Sequence, residues 1–146
     1  MTATETVHPP PATLTVFVAG RPAPQGSKTR TRFGMRDANG GTLHPWRDAV
    51  RADVTTQLAE WWTPVTGPVG IHLRFHLPKP ASAPKRRRTW PIAARSGDID
   101  KLARACLDAI SDAGWWKNDS QVVTLSASKD YRDRNGVDIS IWEIWE

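Results

Sequence analysis

A chain of 146 residues, 39% hydrophobic and 24% charged, has the size and balance of one soluble globular domain with a modest core. Twenty Lys and Arg against fifteen Asp and Glu leave a net charge of +5, which points to a polyanionic partner. One cysteine, Cys106, excludes an internal disulfide and a thiolate zinc site, and no apolar run approaches the ~18 residues that span a bilayer.

The first twelve residues, MTATETVHPPPA, are polar and Pro-rich and are expected to form a disordered tail ahead of one domain over 13–146. They have neither the basic start nor the apolar stretch of a secretory signal, so the protein is expected to stay in the cytoplasm. Thr13 to Ala19 is a β-branched run and predicts a strand. Gly20 to Leu43 is rich in Gly and basic residues, too irregular for a helix and long for a simple connection. Pro45 to Trp62 places Trp46, Val50, Val54, Leu58 and Trp61 at steps of three and four, which predicts a helix with Pro45 in its first turn.

From Val69 to Leu77, apolar residues at 69, 71, 73, 75 and 77 alternate with Gly70, His72, Arg74 and His76, the pattern of a strand with one buried face. Pro78 to Gly97 holds several prolines and a KRRR run and reads as a mobile basic loop. A second helix follows and ends near Gly114. Val122 to Ser128 and Val137 to Ile144 predict two last strands, with the Asn-Gly pair in Tyr131 to Gly136 predicting a hairpin turn. The order β-α-β-α-β-β predicts a small α/β (α+β) domain, a mixed sheet with two main helices.

The chemistry concentrates between Gly97 and Asp130. Asp98 and Asp100 sit at the start of the second helix, and Asp119 stands just before the next strand. On a regular helix, residues two apart point about 200° apart. Asp98 and Asp100 converge only if Asp98 lies in extended chain and Asp100 opens the first turn. By themselves the two acids are also what a helix N-cap and first turn favour. With Asp119 brought to the same helix end they would form a hard oxygen site suited to Mg²⁺, with Mn²⁺ as a substitute.

This stretch resembles the RusA family of Holliday junction resolvases, found largely in phages and prophages. The resemblance rests on DID at Asp98 to Asp100, LARACLDAI at Leu102 to Ile110, NDSQV at Asn118 to Val122 and SASK at Ser126 to Lys129. It implies a Mg²⁺-dependent endodeoxyribonuclease that resolves four-way DNA junctions by paired symmetric nicks with 5′-phosphate ends, in recombination and repair in a bacterial host cell. It implies Asp98, Asp100 and Asp119 as metal ligands, and a homodimer, which also suits two nicks related by a two-fold axis. A nuclease for flaps or forks, or a DNA-binding protein without catalysis, are the alternatives.

Arg104 stands where the family usually carries Lys. It can place positive charge by the phosphate or simply pair with Asp100 and Asp108 along the helix. Lys129 occupies the family's Lys position. Lys28, Arg30 and Arg32 in the first long loop, and Lys85, Arg86, Arg87 and Arg88 in the second, are candidate phosphate contacts. Trp90 beside them can stack on an unpaired base or pack the loop down. Trp142 and Trp145 are candidate dimer surface, Cys106 belongs to the core, and the four histidines show no ligand spacing with the acids.

Overall fold

The computed structural model describes residues 11–145 except 27, 32–33 and 38–39, and for 28–40 the backbone alone. Strand β1 (Thr13–Ala19) leads to a short hairpin, β2 (Lys28–Thr31) and β3 (Gly34–Asp37). Then come helix α1 (Gly40–Thr56), strand β4 (Val69–Leu77), helix α2 (Ile99–Ala113), and strands β5 (Val122–Tyr131) and β6 (Gly136–Glu143). The main sheet has the order β1-β6-β4-β5. Strand β6 is antiparallel to both β1 and β4, while β5 runs parallel to β4. A parallel neighbour needs a crossover, and α2 supplies it.

The alternation read in β4 is what divides the sheet into two faces. Val69, Ile71, Leu73, Phe75 and Leu77 are buried under the helices, with Val137, Ile139 and Ile141 of β6 beside them. Leu43, Trp46, Val50 and Val54 of α1 and Leu102, Cys106, Ala109 and Ile110 of α2 close the other side of this core. Burial pushes the Cys106 thiol well up, so it stays a protonated core residue. The opposite sheet face carries His72, Arg74, His76 and Asp138, and there Trp142 lies flat over Gly70. A Cβ on Gly70 would fall 2.4 Å from the Trp142 ring, so any larger residue there would displace that ring.

Tryptophans lock the far end of α2. Gly114 ends the helix in the left-handed conformation, φ 82°, with its N–H donating to the Ile110 and Ser111 carbonyls. Trp62 Nε1 donates to the Gly114 carbonyl at 3.0 Å, and Trp116 Nε1 donates to Ser111 Oγ at 2.6 Å. Trp115 is buried against both rings.

Several expectations shift. The long first connection contains the hairpin β2–β3 and the opening of α1, so the helix starts five residues before Pro45 and takes that proline inside. It stops at Thr56, where Thr55 and Thr56 turn their hydroxyls back to the Arg51 and Asp53 carbonyls and Gln57 and Leu58 tighten the last turn. Trp61, expected on the apolar stripe, is therefore 81% exposed. Residues 131–136 do not form a hairpin, because β4 lies between β5 and β6. The chain crosses the end of β4 there, with Arg132 N–H donating to the Leu77 carbonyl. Ala12, expected in the tail, already exchanges backbone contact with Glu143; residues 1–10 lie outside the described residues. No helix among the described residues is long and apolar enough to cross a membrane.

Candidate active site

Asp98 and Asp100 meet the backbone condition that convergence needs. Asp98 is the N-cap residue of α2, extended at φ −69° and ψ 136°, and Asp100 lies in the first turn. The carboxylate of Asp98 makes no capping hydrogen bond. Its nearest partner is Lys101 Nζ at 3.8 Å, and both acids are exposed. A residue type chosen for capping is thus present at the cap without performing it, which leaves the charge free for another task.

The approach to Asp98 is built rigidly. Gly97 has φ 88°, and a Cβ there would sit 3.2 Å from both Pro24 and Leu102. Lys129 reaches across from β5, its Nζ donating to the Gly97 carbonyl at 2.7 Å and to Ser96 Oγ at 3.0 Å. Ser96 Oγ in turn donates to the Ala93 and Pro91 carbonyls. Gln25 N–H donates to the Lys101 carbonyl, tying the segment after β1 to the same helix start. Lys129 is therefore a brace for the acid-bearing turn. Neither Ser96 nor Gly97 stood out in the sequence, although a glycine directly before the DID triplet is the signal that marked this turn.

Asp119 is held just as firmly, but elsewhere. Asn118 Oδ1 accepts from Ser120 N–H at 2.9 Å, and Gln121 Oε1 accepts from Asn118 N–H at 2.7 Å and Lys117 N–H at 2.9 Å. The Gln121 amide donates to the Val65 and Gly67 carbonyls. The Asn and Gln of NDSQV are thus turn builders that present the half-buried Asp119.

This turn follows the C-terminal end of α2, whereas Asp98 and Asp100 lie at its N-terminal end. A helix of 15 residues spans about 22 Å. Strand β5 starts beside the Asp119 turn and reaches the acid-bearing turn only at Lys129, which touches Gly97 about 23 Å further along the strand. The expected meeting of all three acids does not occur inside one chain. Among the described residues, no group of three acids, histidines or cysteines is placed to hold a metal ion.

Arg104 is one turn beyond Asp100 and pairs with Asp108, Nε to Oδ1 3.6 Å. Lys85, Arg86 and Arg87 are exposed. Arg88 is committed: it donates to Asp130 Oδ2 at 2.5 Å and lies 4.4 Å over the Trp90 ring. The Arg88 guanidinium holds the Asp130 carboxyl below the usual carboxylate range. The loop expected to be mobile is thus tied to β5, with Pro91 buried beneath it. Lys28 and Arg30 fall in strand β2 rather than in a loop, and their side chains, like all of Arg32, lie outside the described residues.

A family model described as Endodeoxyribonuclease RusA matches residues 19–142. The chain belongs to the RusA endodeoxyribonuclease family. It is accordingly a hydrolase that cuts DNA. A relative, the uncharacterized protein YqaN of Bacillus subtilis (strain 168), is 26% identical over 137 residues, covering 87% of this chain and 94% of YqaN.

Proposed function

We propose that this endodeoxyribonuclease cuts branched DNA, four-way junctions foremost, as a homodimer whose carboxylate sites are each shared between two copies. The observation that carries the reading is the separation of Asp98 and Asp100 from Asp119 by the length of α2. Strand β5 is an edge strand, paired only with β4 among the described residues, and it exposes Val123 (63%) and Leu125 (47%). Its first residue follows the Asp119 turn, and its Lys129 touches Gly97. Two copies related by a two-fold axis near Leu125 would run these edges antiparallel. Asp119 of each copy then comes to the Asp98 and Asp100 of the other, and the symmetry produces two equal sites.

A single chain offers the two carboxylates of Asp98 and Asp100, and the second copy supplies the third hard oxygen donor that Mg²⁺ or Mn²⁺ prefers. A divalent ion bound there would polarise the scissile phosphate and favour attack by water. The chain's own residues position the strand. Lys129 and Gly97 fix the acid turn, Arg104 brings positive charge to within one turn of Asp100, and Lys85 to Arg87 bind phosphates along the arms. Hydrolysis adds water across the phosphodiester, breaking the bond from phosphorus to O3′ and leaving 3′-hydroxyl and 5′-phosphate ends.

The test is a panel of synthetic DNAs with Mg²⁺. Four-way junctions should be nicked symmetrically and much faster than linear duplex, and Asp119→Asn should abolish nicking while keeping binding. Preferred cutting of flaps or forks would assign a different branched substrate. Binding with no cutting of any DNA in Mg²⁺ or Mn²⁺ would contradict the reading.

A further inference from the structure

The loop between β4 and α2 carries large apolar side chains facing outward. Trp90 is 55% exposed and Ile92 88%. Single exposed apolar residues are common, but neighbouring large ones that form one patch mark an interaction site. Here the segment is not slack. Pro91, between the two, is buried, Ile92 N–H donates to the Trp90 carbonyl at 2.9 Å, and Ser96 Oγ holds the Pro91 carbonyl at 2.9 Å. One face of the Trp90 ring is covered by the Arg88 guanidinium, itself locked to Asp130. Beside the ring opens a cleft of about 430 Å³ lined by Pro84, Trp90, Ile92 and Tyr131, with Arg87 and Arg88 at its side.

We infer that this cleft takes one unstacked nucleobase of the DNA substrate. Four features select that occupant. The lining is flat and apolar, with two aromatic rings and proline, which suits the π-face of any base. Its neighbours Lys85, Arg86 and Arg87 are exposed cations that suit the attached phosphates and oppose a second copy of this basic chain. The arginine-capped tryptophan is already fixed, so little ordering is needed on binding. Finally, Tyr131 lies two residues beyond Lys129 on the same face of β5, about 7 Å along the strand, and Lys129 grips the residue before Asp98. A base drawn from the stack at a branch point would hold its strand next to the acids. The inference rests on the DNA-cutting reading of those acids.

The experiment measures the affinity of the full chain, without divalent ions, for a duplex with a short thymidine tail and for the same duplex with an abasic tail. The two carry identical phosphates. Wild type should bind the thymidine tail about tenfold or more tighter. Trp90→Ala should erase that difference, Trp90→Phe should keep most of it, and Arg87→Gln should weaken both DNAs alike. Equal binding of the two tails by wild type, or full discrimination by Trp90→Ala, overturns the inference while leaving the nuclease reading intact. A change in oligomeric state with Trp90→Ala would assign the cleft to a second copy and overturn it too. If wild type binds neither DNA, the DNA-cutting reading falls and the inference with it.

Discussion

Single residues decide how the acids are presented. Gly97 is required twice, by its positive φ and by the 3.2 Å approach of Pro24 and Leu102. Gly97→Ala should cost about 1–3 kcal/mol in stability and lower cleavage by shifting Asp98. Chemical denaturation and single-turnover nicking measure both, and an unchanged rate would free Asp98 from dependence on this turn. Arg104 poses a choice between charge for catalysis and the pairing with Asp108 seen here. If it serves the scissile phosphate, Arg104→Lys should keep much of the activity and Arg104→Ala should lose about 100-fold. If it serves only the helix, Ala should cost about 0.3–0.5 kcal/mol and leave single-turnover cleavage unchanged.

At the scale of elements, the loop from 78 to 97 shows most clearly how tertiary contacts override local composition. Its prolines and cations read as mobile, yet Asp130 on β5 captures Arg88 and the buried Pro91 anchors the rest. The Asp130 carboxyl is depressed in the folded state, so its stabilising contribution is complete above about pH 3.9, the usual Asp value. It is lost only as the pH falls further, through the folded value. At neutral pH the strap should hold, and trypsin should cut slowly after Arg88. Asp130→Asn should speed that cut severalfold; equal rates would show that Asp130 does not restrain the loop. The main strands and the amphipathic α2 were legible because their periodicity is strong and tertiary packing agrees with it. The start of α1 was not, because Gly40 and Gly41 give no helical signal and an interior Pro45 argues against one. The strand order was not legible either: the Asn-Gly pair at 135–136 suggests a hairpin, and only the fully buried alternating face of β4 explains why that strand takes the centre.

For the whole molecule, the sequence marks Asp98, Asp100 and Asp119 as candidate ligands, and their expected meeting at one helix end does not occur within the described chain. DID and NDSQV carry acids suited to hard-oxygen ligation, but α2 and the returning strand β5 set Asp119 at the far end of the helix. The proposed sites shared between two copies would resolve that separation, and mixing two inactive variants tests them directly. Asp98→Asn and Asp119→Asn should each be inactive alone. In a mixed dimer with shared sites, one site collects both substitutions and the other collects none. Co-refolded mixtures should therefore regain single-strand nicking of a four-way junction, approaching a quarter of the wild-type nicking rate at equal amounts. No recovery, despite demonstrated exchange of subunits, would place all three acids of each site within one chain and contradict the account.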